Sequence, residues 1–166
     1  MEMMRLDADA PEPNVAGHFS SWVSWEHRQA IPDDHGGYVH KYGGVYLLAH
    51  FASAPPQGPA DVLHDAIVYV GEGKHLKQRW YQFERSAYLG LSGHSGGASH
   101  RTWREQSRIP WETLHVAAFP IWFASEGTTD APASLARRFR LYVEQLLLWK
   151  LAVHRREHAV PLLNAK

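Results

Sequence analysis

The chain has 166 residues, 45% of them hydrophobic and 12% aromatic, enough for one folded core and too much for disorder throughout. It contains no cysteine, which excludes disulfides and thiolate metal clusters, and its formal net charge is zero. No apolar run is long enough to cross a bilayer, so the expected setting is a reducing cytoplasm.

The opening MEMMRLDADAPEPN is acidic and proline-bearing, unlike a secretion signal, and residues 1–17 read as a flexible acidic lead. Residues 19–31 predict a short helix with Phe19, Trp22, Val23 and Trp25 turned inward, ended by Pro32. Together residues 1–40 form an acidic, partly helical extension carrying seven acids against Arg5 and Arg28, ahead of a domain over 41–166. The run 33–44 is turn-rich. GVYLLAHF (44–51) is a strand, 53–65 a loop by its prolines and glycine, and AIVYVG (66–71) a second strand after which Gly71 and Gly73 permit a sharp turn. Two neighbouring strands joined by a loop predict an antiparallel hairpin.

From Lys74 to about Tyr88 the pattern turns helical, with Leu76, Trp80, Phe83 and Ala87 on one face. A glycine-rich loop (90–100) and a short helix near 101–107 follow, then a third strand over 111–123 in which Pro120 marks an end or an edge. Residues 131–153 give the strongest helical signal. Leu135, Phe139, Tyr142, Leu146, Trp149 and Val153 form one stripe, and Leu141, Leu147, Leu148 and Leu151 a second side, the pattern of a buried central helix. The expected fold class is α+β, a small three-stranded antiparallel sheet flanked by helices.

The neutral total conceals segregation. Residues 74–108 hold seven Lys and Arg against Glu84 and Glu105, and residues 134–166 hold seven against Glu144 and Glu157. If the fold joins these segments they form one phosphate-facing surface; if not, each is an ordinary solvated face.

Four positions carry chemistry in a consistent order: Tyr46 in GVY, Tyr69 in YVG, Arg79 eight residues past Gly71, and Glu144 in VEQLLLWKL. Each has an ordinary reading alone. Strand tyrosines pack with a satisfied hydroxyl, and an arginine at the margin of an apolar stripe lays its stem on the core. Glu144 is harder to dismiss: between Leu141 and Val153 only it and Lys150 are charged, and a buried carboxylate needs a partner. Its ordinary reading is an i−4 pair with Arg140.

GVY, YVG and the following arginine resemble the GIY-YIG nuclease domain, over residues 44 to 164. The resemblance implies that both triplets lie in a β-hairpin, with Arg79 on the next helix and Glu144 as ligand of one Mg²⁺ or Mn²⁺. Asn164 in PLLN is similar to the family's terminal asparagine, and Gly44 and Gly71 are supporting positions. The implied activity is endonucleolytic hydrolysis of DNA phosphodiesters, with Arg79 on the phosphoryl oxygens, Tyr46 as general base if nearby positive charge lowers its pKa or a hydroxide takes its proton, and Tyr69 orienting it or the attacking water. Lys74, Lys77, His94, Arg101 and Arg104 are the candidate contacts to the DNA backbone. The chain departs from the family in a longer gap from Tyr46 to Tyr69 and in Phe83, which stands where Tyr, His or Lys is frequent. Tyr81, His94 or His100 is then the substitute proton carrier. Glu144 and Asn164 are also further apart than usual, and the longer gap between the tyrosines suggests a specialised member such as a restriction-type enzyme.

Two competing readings have their own motifs. GHSGG (93–97) fits the serine-hydrolase elbow, with Asp130 and His154 in triad order, but that elbow requires a strand immediately before it. HRREH (154–158) fits an inverted zinc-protease motif, with little chain left for a further ligand. A third reading keeps the nuclease shape only to bind nucleic acid.

Overall fold

The strand-forming runs GGVYLLAH and IVYVGEG pair as the expected antiparallel hairpin, β3 (Gly43–His50) with β4 (Ile67–Gly73), in a computed structural model that describes residues 4–5, 15–122, 131–155 and 161–164. β5 (Leu114–Trp122) lies antiparallel along the other side of β3, and α1 (Leu76–Ala87), α2 (Ser95–Gln106) and α3 (Ala131–His154) complete an α+β fold. The sheet has more than three strands. Two-residue strands β1 (Met4–Arg5, parallel) and β2 (Val23–Ser24, antiparallel) add to the outer side of β5, so among the described residues the sheet has five strands, four of them antiparallel.

Between those short strands the outer side of β5 is satisfied by Ser20, whose amide donates to the Ala118 carbonyl while its hydroxyl accepts from the Ala118 amide. Backbone groups alternate sides along a strand, so Pro120, two residues on, turns its hydrogen-free nitrogen to that same outer side. The proline therefore marks an edge and not an end, and β5 runs two residues past it.

The pleat sorts side chains into two cores. Val45, Leu47 and Ala49 join Phe119, Phe19 and Trp22 beneath α3, while Tyr46 and Leu48 join Trp80, Phe83, Trp25 and Ile31 beneath α1. The β3–β4 register shifts between Leu48 and Ala49, where β4 holds Val68 as an extra residue. That bulge puts Ile67 in the α3 core while Tyr69 stays on the α1 face with Tyr46.

Three predicted elements differ. Residues 19–31 are not one α-helix: Phe19 and Trp22 are buried in irregular chain, β2 follows, and only Trp25–Ala30 winds as a 3₁₀ turn. The glycine-rich run is helical from Ser95, because His94 accepts the Gly97 amide on Nδ1 and so caps α2. In α3 the sheet-facing residues are Arg140, Val143, Leu147 and Leu151, and much of the stripe assigned to the core faces solvent. The parts of the chain read as an acidic lead over 1–14, the Asp130 triad partner and residues 156–158 of HRREH lie outside the described residues, apart from Met4 and Arg5.

Beyond β4 the C-terminal segment acts as a partial extra strand. The Leu163 amide donates to the Val68 carbonyl, and the Asn164 carboxamide exchanges both hydrogen bonds with the Val70 backbone. Among the described residues no helix is long and apolar enough to cross a membrane.

Candidate active site

Tyr46 and Tyr69 reach one face of the hairpin for the reason just given, and their rings lie 6.1 Å apart. Gly71 stands directly opposite Tyr46 in the register. A Cβ on it would come within 2.5 Å of the Tyr46 hydroxyl, so the ring lies across the glycine. Gly44 is required for a different contact, since a Cβ there would fall 2.4 Å from the Phe119 carbonyl oxygen. α1 starts three residues past β4, and Arg79 on its first turn packs its stem over Gly73.

Glu144 comes from α3, on the opposite side of the sheet. β4 is an edge strand and carries glycines at 71 and 73, so charges on either side of it act on one another. Electrostatic coupling links these groups across the strand. The Glu144 carboxyl is pushed above the usual range by burial and by Glu72, against the pull of Arg79. Burial raises Tyr69, with Arg79 opposing and Glu144 adding to the rise. Burial and the neighbouring Tyr69 raise Tyr46 well above its ordinary value, outweighing Arg79. Tyr46, Tyr69, Arg79 and Glu144 thus share one electrostatic environment. Tyr46 is wholly buried, and Arg79, Glu72 and Glu144 are partly exposed.

The Tyr46 hydroxyl and Arg79 Nε are buried without a well-directed hydrogen bond. The expectation that positive charge lowers the Tyr46 pKa is not met, because the cost of burying a phenolate exceeds the help from one guanidinium.

Arg140 is not the partner of Glu144. Its Nε donates to Glu72 Oε2 at 3.1 Å, and the side chain that hydrogen-bonds Glu144 is the adjacent Gln145. Among the described residues no three His, Cys, Asp or Glu side chains converge as metal ligands. The donor set that does exist, one electron-rich carboxylate with a second beside it, suits a hard divalent cation that keeps most of its shell as water and phosphate.

The remaining predicted residues separate. His94 is corrected: it is buried against Tyr69 and Phe83, with ring centroids at 6.1 and 5.4 Å, and cannot be a surface phosphate contact. Because Nδ1 accepts from the Gly97 amide, the neutral ring carries its proton on Nε2, which is buried without a partner. Burial and the Arg79 charge lower its pKa to about 4. Of the three substitutes for the position of Phe83, His94 is the one that senses Arg79. Tyr81 lies exposed on the outer face of α1, and His100 is buried against His50.

Lys77 lines a cleft of about 630 Å³ with Arg28, His40, Lys41, His75 and Tyr81, and among the described residues none that lines it is acidic. Lys74 lines a second, of about 680 Å³, with His75, Arg137, Arg140 and Glu72. The clefts share His75, so the basic segment after β4 and the basic start of α3 do meet. Arg101 and Arg104 line neither cleft. Arg101 pairs with Glu105 at 2.8 Å and Arg104 lies over the Trp111 ring.

Asn164 closes the outer edge of β4 and holds the strand bearing Tyr69 and Gly71, a positioning role. Ser95 of GHSGG is the exposed first residue of α2 with loop before it, so the strand that an elbow needs is absent there. Two contributors escaped sequence reasoning. Glu72 was signalled by a charge between two glycines at a strand end, and Gly96 by its place beside His94. A Cβ on Gly96 would come within 2.7 Å of the Tyr69 hydroxyl.

No family model, curated protein or solved structure matches the chain.

Proposed function

We propose that the chain is a metal-dependent endonuclease of the GIY-YIG type that hydrolyses DNA phosphodiesters. The observation that carries this reading is the mutual electrostatic influence of Tyr46, Tyr69, Arg79 and Glu144, which come from β3, β4, α1 and α3. A structural role for any one of them would not require the other three.

Hydrolysis requires a nucleophilic oxygen in line with the leaving 3′ oxygen and compensation of charge on the phosphoryl group. Arg79 offers its guanidinium fork to the non-bridging oxygens. The two tyrosine hydroxyls hold the attacking oxygen at the floor of the site. A phenol of raised pKa keeps its proton, so Tyr46 orients the nucleophile as a hydrogen-bond donor, and solvent-derived hydroxide is the attacking species. Glu144, with Glu72 beside it, would hold one Mg²⁺ or Mn²⁺, which when bound supplies Lewis-acid stabilisation of the departing oxygen. The two clefts joined at His75 are where the flanking backbone would lie, with Lys41, Lys77, Lys74 and Arg137 as phosphate contacts.

The test is cleavage of plasmid DNA with Mg²⁺ or Mn²⁺. Glu144→Ala and Arg79→Ala should each lower the rate by about 10²-fold or more with the fold intact. Tyr46→Phe should cost less, about tenfold, because it removes an orienting donor and not the base. Unchanged cutting by the first two variants refutes the assignment. DNA binding with no cutting in any metal favours the binding-only reading.

A further inference from the structure

The six residues Leu135, Phe139, Tyr142, Leu146, Trp149 and Val153 advance along α3 in alternating steps of four and three. That is the spacing of a helix that packs against another helix along its whole length. The chain's own core takes only the margin of this face, where Phe139 and Leu146 pack, since α3 turns Arg140, Val143, Leu147 and Leu151 inward. Leu135, Tyr142, Trp149 and Val153 are 45%, 42%, 66% and 40% exposed, with Phe139 and Leu146 half-buried along the margin.

We infer that this stripe pairs with the same stripe of a second copy of the chain. Two observations select that occupant. The first is area. An aromatic side chain presents roughly 150–250 Å², so at these exposures the stripe offers on the order of 400 Å² per copy. Two copies face to face bury about twice that, and the exposed rim of Arg138, Gln145 and Lys150 brings the total past the roughly 1,000 Å² that a specific interface needs. The second is the match of the stripe to itself. In an antiparallel arrangement centred on position 144, Trp149 meets Phe139 of the second copy, Tyr142 meets Leu146, and Leu135 meets Val153. The cationic Arg138 then faces Ala152, so no like charges are brought together. The contact is isologous and closes as a two-fold dimer. Glu144 lies on the other side of α3, so pairing leaves both candidate active sites clear.

Sedimentation equilibrium of the full chain at about 100 μM should give twice the 18.8 kDa chain mass. Trp149→Glu, at a position too exposed to matter for folding, should weaken association by at least about tenfold with an unchanged circular-dichroism spectrum. Val153→Lys is the second variant, and should do the same. The chain has no cysteine, so a single Gln145→Cys thiol is unique. It lies opposite its own copy in the antiparallel pair and should be linked in high yield by a short bis-maleimide. A wild-type chain that stays monomeric at this concentration overturns the inference. So does a dimer that neither variant weakens.

Discussion

Acidification from pH 7.5 to 5.0 should destabilise this fold steeply, and three buried histidines set the size of the effect. Thr113 Oγ1 spends its hydrogen on the Pro110 carbonyl, so His50 Nδ1 must donate to that hydroxyl. Neutral His50 is then bare at Nε2 and accepts from His100 Nε2 at 2.9 Å, which leaves His100 Nδ1 buried without a partner. Neither ring can take a second proton without losing this chain of bonds or charging an orphaned nitrogen. Burial, with Arg104 and His115 nearby, lowers His50 to about 4; burial, with His50 and Arg104, lowers His100 to about 3; and His94 beside Arg79 is at about 4. The folded values lie below the unfolded value of about 6.5, so the stability they contribute is complete above that pH and is lost as pH falls toward 4. At pH 5 the unfolded rings are protonated and the folded ones are not, which costs about 2 kcal/mol per ring and about 6 kcal/mol for the three. Domain stabilities are about 5–15 kcal/mol. The raised Glu144 carboxyl acts in the opposite sense, taking up a proton more readily in the folded state, and removes part of this loss. Urea denaturation at both pH values measures the difference. The midpoint should fall sharply at constant slope, and His100→Phe should flatten the profile by about a third. Stability that is level between pH 7.5 and 5.0 would refute the placement of these rings.

Two substitutions probe how the site is held. Gly96→Ala drives a methyl into the Tyr69 ring, and should lower the cleavage rate by about tenfold or more while costing only about 1–3 kcal/mol of stability; a rate equal to wild type would place the Tyr69 hydroxyl outside the chemistry. Asn164→Ala leaves the Val70 amide and carbonyl without their partners on the edge of β4, and should cost about 1–3 kcal/mol in thermal or urea denaturation. An unshifted transition would mean that the C-terminal segment does not pair there.

What the sequence disclosed follows from what periodicity can carry. The hairpin was legible because GVYLLAHF and AIVYVG are strand-rich runs around an obvious loop, and α1 because Leu76, Trp80, Phe83 and Ala87 repeat on one face and all are buried. β1 and β2 are too short to have a period. α2 was hidden by glycines that serve packing: a Cβ at Gly97 would meet the Phe83 carbonyl oxygen at 2.9 Å, so the close approach of α1 and α2 requires residues that read locally as loop. In α3 the pattern holds two apolar faces, and periodicity cannot say which one the sheet takes. The sheet took the narrower face, whose Arg140 is neutralised by Glu72 on β4, a partner invisible from the helix alone. The tyrosines, arginine and glutamate were found as residue types in order; the burial that raises the Tyr46 pKa depends on Trp80 and the arc of residues 15–40 and could not be read from the motif.

The Arg140–Glu72 pair also bears on why the proposed reaction would need a divalent cation. Around the site stand two carboxylates, Glu72 and Glu144, and two guanidiniums, Arg79 and Arg140. Arg140 is committed to Glu72, so among the described residues Arg79 is the cation that opposes Glu144, and it must also serve the two tyrosine hydroxyls. A phosphodiester entering there adds a full negative charge to a half-buried cluster whose carboxyl is already pushed toward its neutral form. Without compensation the phosphate is repelled, or Glu144 takes a proton and ceases to be a ligand. Two positive charges at Glu144 remove the difficulty, since they cancel the phosphate and restore the carboxylate at once. A monovalent ion leaves the cluster with no positive charge to offset what develops on the leaving oxygen. Under this reading spermidine or high Na⁺ should not replace Mg²⁺ or Mn²⁺ in cleavage, and Glu144→Gln, which keeps the shape and loses the charge, should be as inactive as Glu144→Ala.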